Sequence, residues 1–135
     1  METEMFQQIK DFLIKKVNPL FVIVFGSYAK GKTHKNSDID IAFYSDDRSL
    51  TTYDIFQLSQ ELADILKLEV DLVNIDFAST VFQAQIYTIG KVIYSKDDTF
   101  LKNHQMTALS MYANLNEERD VVLKKIDESR SIYEK

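Results

Sequence analysis

"VIVFGSYAKGKTHKNSDIDIAF", residues 22–43, runs from an apolar segment into Gly26 and Ser27, crosses a short basic stretch, and re-enters an apolar segment that holds Asp38 and Asp40. A strand alternates its side chains between faces, so Asp38 and Asp40 point the same way, with carboxylates near enough to share a ligand. Two anions held together and partly desolvated repel one another and rise in pKa, unless a cation keeps both charged. With oxygen donors alone and no cysteine in the chain, that cation is a hard one such as magnesium, which keeps several waters and is completed by substrate phosphates. The bland alternative is that Asp38 caps a turn and Asp40 sits at an exposed strand end.

The turn before the aspartates weighs against that alternative. A glycine ending a buried strand, followed by a serine, lets backbone N–H groups approach a phosphate, and Ser27 adds a hydroxyl donor. Lys30, Lys32, His34 and Lys35 set positive charge nearby, as a triphosphate requires, although lysines in a loop can equally be solvated.

Outward from this stretch the chain alternates helix and strand. "MFQQIKDFLIKKV" (5–17) spaces Phe6, Ile9, Phe12 and Leu13 as one helical face, and Asn18 and Pro19 end it. "LFVIVF" (20–25) and "SDIDIAFY" (37–44) read as strands, the second with Ile39, Ile41 and Phe43 on one side. Residues 51–67 place Ile55, Leu58, Leu62, Ile65 and Leu66 on a helical stripe, and "LEVDLVNI" (68–75) is a third strand with Asp71 in its middle. A helix near 78–88, a strand "KVIYS" (91–95) and a helical region over about 98–133, with a break near 114–116, follow. The expected fold is an α/β mixed sheet flanked by helices with a long C-terminal helix. The tyrosine- and methionine-containing C-terminal helix reads as core with one face left for a partner. His34 and His104 read as surface residues, and Asp76 in "NIDFAST" as a turn or helix cap.

The whole of 1–135 is expected to fold as one domain, since 45% hydrophobic residues, three glycines and one proline leave material for a core and little for linkers. Without cysteine there is neither a disulfide nor a thiolate metal site, and with no signal-like start or long apolar run the expectation is a cytoplasmic protein off the membrane. A net charge of −5 argues against direct nucleic-acid binding.

Gly26-Ser27, ten intervening residues and Asp38-Ile39-Asp40 resemble the signature of the DNA polymerase beta-like nucleotidyltransferases, in particular their minimal branch and, within it, the MntA-type antitoxins that work beside a HEPN-domain ribonuclease toxin. "EVDLV" places Asp71 where that family carries a third carboxylate, and Lys30 stands where many relatives carry arginine, keeping the charge without the bidentate grip. The resemblance implies a nucleotidyltransferase fold with Asp38, Asp40 and Asp71 as catalytic and metal-binding residues, holding two magnesium ions. It further implies Gly26, Ser27 and Lys30 at the nucleotide, and Asp71 as the acceptor of the nucleophile's proton. It implies AMP transfer from ATP to a tyrosine of a HEPN toxin, in a hetero-oligomer with that toxin. Two alternatives stay open: an antitoxin that neutralises by contact alone, and a transferase for small molecules of the aminoglycoside kind.

Overall fold

The computed structural model describes residues 2–26, 38–47 and 49–128, with side chains from residue 4 to residue 115. Its elements in chain order are α1 (Glu2–Val17), β1 (Phe21–Phe25), β2 (Ile39–Tyr44), α2 (Thr52–Leu66), β3 (Val70–Asn74), α3 (Thr80–Ile89), β4 (Lys91–Ser95) and α4 (Asp98–Glu128), with a 3-10 turn at Ile75–Phe77. The four strands form one sheet in the order β3-β2-β1-β4. β1 pairs antiparallel with β2 and β4, whereas β2 and β3 run parallel, so the sheet is mixed.

Strand alternation sends the two faces of the sheet into separate cores. Val22, Val24, Ile39, Ile41 and Phe43 pack beneath Phe6, Ile9 and Leu13 of α1 and Ile55 and Leu62 of α2. On the opposite face, Phe21, Ile23, Phe25 and Ala42 pack with Ile86 and Tyr87 of α3 and Ala108 of α4. Both faces being covered explains why β1 is buried throughout and reads as an unbroken apolar run.

Local chemistry fixes the joints. Asn18 adopts φ 47, and its N–H bonds the Leu13 carbonyl at 3.1 Å, closing α1 just before Pro19. Thr51 and Asp54 form a capping box at the start of α2, and Lys67 ends that helix in the left-handed conformation.

Three sequence expectations need correction. α4 runs unbroken through residues 114–116, because asparagine there costs a helix only a few tenths of a kcal/mol. Ile65, expected on the buried stripe of α2, is 46% exposed. The C-terminal helix is not mainly core: of its described side chains only Ala108 is fully buried, and Met106, Leu109 and Met111 are exposed. Among the described residues no helix is long and apolar enough to cross a membrane.

Candidate active site

Phe25, Asp40 and Asp71 stand abreast on β1, β2 and β3, since Phe25 pairs with Asp40 and Asp40 with Asp71. The parallel register of β2 and β3 therefore brings together two carboxylates 31 positions apart in the chain. Asp38 lies just before β2, where the Ile39 N–H bonds the Glu69 carbonyl at 2.9 Å and ties the entries of β2 and β3 together.

The electrostatics follow from this register. Burial first, then the charges of Asp71 and Asp38, push the Asp40 carboxyl above its ordinary range. The Glu69 carboxyl is also pushed up, by its hydrogen bond to Asp38 and by the Asp38 charge. An acidic cluster in which Asp40 and Glu69 are pushed up by neighbouring negative charge stores repulsion that a bound cation relieves, and such clusters concentrate at functional sites.

Gly26 takes part through what it lacks. Its φ is +82, and a Cβ there would collide with Asp40 Oδ2. The glycine thus lets the backbone turn at the end of β1 and leaves the space that the Asp40 carboxylate fills. Ser27 and Lys30, with Lys32, His34 and Lys35, lie outside the described residues. Of the expected site residues, then, Gly26, Asp38, Asp40 and Asp71 meet at one edge of the sheet.

Glu69, which nothing in the sequence singles out, joins Asp38 at this edge. Beside Asp71 a cleft of about 330 Å³ is lined by Asp38, Gln60, Ala63, Leu68, Glu69, Val70 and Asp71. Gln60 was missed because a lone glutamine on a helix carries no chemical pattern. Among the described residues no group of three Asp, Glu or His side chains is already drawn to metal-ligand spacing.

His104 is not the surface residue that its isolation in sequence suggests. Its ring is half-buried among Phe21, Tyr44, Tyr87 and Phe100. Tyr87 Oη lies 2.7 Å from Nδ1, and Nε2 lies 3.8 Å from Asp76 Oδ1, an arrangement that suits a proton on Nε2 and a tyrosine donating to Nδ1. Asp76 sits in the first turn of the 3-10 segment, whose cap is Asn74. This cluster belongs to the packing of α3 against α4.

Comparison with known proteins agrees with the geometry. The protein adenylyltransferase MntA of Shewanella oneidensis is 38% identical over 104 residues, covering 76% of this chain and 72% of its own. A chain in the crystal structure of a toxin-antitoxin with AMP-PNP superposes with a TM-score of 0.80 at 33% identity, covering 90% of this chain and 97% of that one. A chain in the complex of tri-AMPylated Shewanella oneidensis HEPN toxin with MNT antitoxin gives a TM-score of 0.78 at 29% identity, covering 93% and 98% respectively. The family described as Polymerase beta, Nucleotidyltransferase matches residues 7–99, a span that takes in all four strands and the edge bearing Gly26, Asp40 and Asp71, and to that family this chain belongs.

Proposed function

We propose that this chain is a cytoplasmic antitoxin that assembles with a HEPN-domain ribonuclease toxin and transfers AMP from ATP to a tyrosine hydroxyl of that toxin. The observation that carries this reading is the placing of Asp40 and Asp71 abreast on neighbouring strands, with Asp38 beside them and Gly26 against Asp40. The likeness to MntA and to toxin-antitoxin complexes supports the choice of reaction and partner.

In the proposed reaction the phenolic oxygen attacks the α-phosphorus of ATP. The bond from that phosphorus to the oxygen bridging it to the β-phosphorus breaks, and pyrophosphate leaves. Asp71 accepts the proton of the tyrosine. Gly26, with the Ser27 hydroxyl and the Lys30 charge, holds the β and γ phosphates. Asp38, Asp40 and Asp71 are the residues to hold magnesium. They fit it as an oxygen-only donor set in which Asp40 is already burdened by two neighbouring negative charges. When bound, magnesium neutralises the phosphates and polarises their oxygens.

The test is intact-mass analysis of a HEPN toxin after incubation with this chain, ATP and magnesium. Added AMP on tyrosine is expected, and a toxin of unchanged mass under these conditions contradicts the reading.

A further inference from the structure

The cleft beside Asp71 does not end at the carboxylates. Gln60 lines it and also lines a second groove of about 360 Å³ along the outer face of α2, with Tyr53, Phe56, Gln57, Glu61 and Asp64. Positions 53, 56, 57, 60 and 64 fall on one helical face, so the groove follows the helix axis for roughly 16 Å, from the end nearest β3 back to Tyr53. Tyr53 is 65% exposed and Phe56 58%, two aromatic rings that the fold leaves in water on an otherwise amphipathic helix. Tyr53 is held in place by Gln57, whose Nε2 donates to Tyr53 Oη at 2.9 Å.

The direction of the track follows from strand order. Gly26 ends β1, Asp40 lies on β2 and Asp71 on β3, so the cleft opens on the side of Asp40 opposite the glycine turn. In-line displacement requires the attacking oxygen to stand across the phosphorus from the leaving group. Asp40 and Asp71 face away from α2, so if the phosphates rest at Gly26, the attacking hydroxyl arrives past Asp71 around the exposed edge of β3, where the cleft also takes in Gln60 and Ala63 of α2.

We infer that the two cavities form one acceptor track, and that its occupant is a basic, tyrosine-bearing segment of a partner protein, with Tyr53 and Phe56 as the apolar anchors. This rests on the AMP-transfer reading above. The charge along the track selects the partner: Asp38, Asp64, Glu69 and Asp71 line it, and only Glu61 has a cation in reach, Lys16 at 3.4 Å, among the described residues. The carbonyl end of α2 adds partial negative charge beside the first cleft, near Ala63 and Leu68, offset in part by Lys67 at the cap. Aromatic rings flanked by carboxylates suit apolar and arginine side chains on the incoming segment.

The experiment uses two labelled ten-residue peptides with a central tyrosine, one flanked by arginines and the other by glutamates. Anisotropy titrations compare the parent with the double variant Tyr53→Ala, Phe56→Ala, both changes lying on exposed side chains. The parent is expected to bind the arginine peptide at least tenfold tighter than the glutamate peptide. The double variant should lose at least fivefold of that affinity while its melting temperature still rises with ATP as the parent's does. A parent that prefers neither peptide, or a double variant that binds like the parent, overturns the track. Failure of the transfer reading looks different: the parent binds the arginine peptide, yet no AMP reaches any tyrosine with ATP and magnesium present.

Discussion

Gly26 and Asp40 cannot be varied independently, because the side chain of one occupies the space that the other leaves empty. Gly26→Ala should therefore act twice. The left-handed backbone costs roughly 1–2 kcal/mol for an L side chain, and the new methyl displaces the Asp40 carboxylate. A lower melting temperature and a loss of AMP transfer of about 100-fold are expected, the size that a misplacement near 1 Å produces. Unchanged transfer in this variant would mean that the carboxylate position is not critical. His104 sets a second test, on pH. Burial pushes its imidazole below the ordinary range, against an opposing pull from Asp76. The folded protein thus takes up that proton less readily than the unfolded chain. The stability linked to the neutral ring is complete above the ordinary histidine pKa and is lost as pH falls below it. Melting temperature should fall from pH 7 to pH 5 more steeply in the parent than in His104→Gln, whereas equal slopes would show that another group controls the decline. Sequence exposed the Gly-Ser and DxD spacing because those residues break an apolar pattern. It hid His104, whose partners Asp76 and Tyr87 come from other elements and meet it only after α3 packs on α4.

The elements themselves were legible where a single surface decides them. β1 declared itself as an apolar run because both of its faces are covered, and α1 as a stripe because one of its faces is. Ile65 and the apolar residues Met106, Leu109 and Met111 of α4 were misread for one shared reason: the apolar content of a helix does not say how far its neighbours extend. Past Ala108 no described side chain of α4 is fully buried: Leu109 and Met111 are exposed, and Tyr112 and Leu115 are half-buried. Tyr53 and Phe56 did leave a signal, since two aromatic residues sit off the stripe that buries Ile55 and Leu62. The start of α2 is set by Thr51, whose Oγ1 accepts from the Asp54 N–H at 3.0 Å while Asp54 Oδ2 accepts from the Thr51 N–H. Thr51→Ala should cost about 1 kcal/mol and lower the melting temperature by about 4 °C. Since α2 also walls the cleft beside Asp71, circular dichroism melts should be read together with transfer rates. A variant as stable as the parent would show that the box adds nothing to the helix.

Across the whole molecule, the site exists because a parallel pair and an antiparallel pair meet on β2. Asp40 is reached from Phe25 and Gly26 on one side and from Asp71 on the other, and no local stretch of sequence contains all of them. The register between β2 and β3, which no local pattern encodes, was therefore the part of the site that the resemblance suggested and the fold had to supply. Asp40→Asn separates catalysis from architecture, because it keeps the size of the side chain and removes a charge that the folded state already disfavours. Its folding stability should equal or exceed the parent's at neutral pH. The most direct measurement pairs this variant with the parent in one experiment: each is mixed with a HEPN toxin, ATP and magnesium, and both the toxin's mass and its RNA cleavage are followed. The account predicts that the parent adds AMP to a toxin tyrosine and stops cleavage, and that Asp40→Asn does neither while remaining folded. If Asp40→Asn protects the RNA as well as the parent does, with the toxin unmodified, neutralisation proceeds by binding and the catalytic account is contradicted.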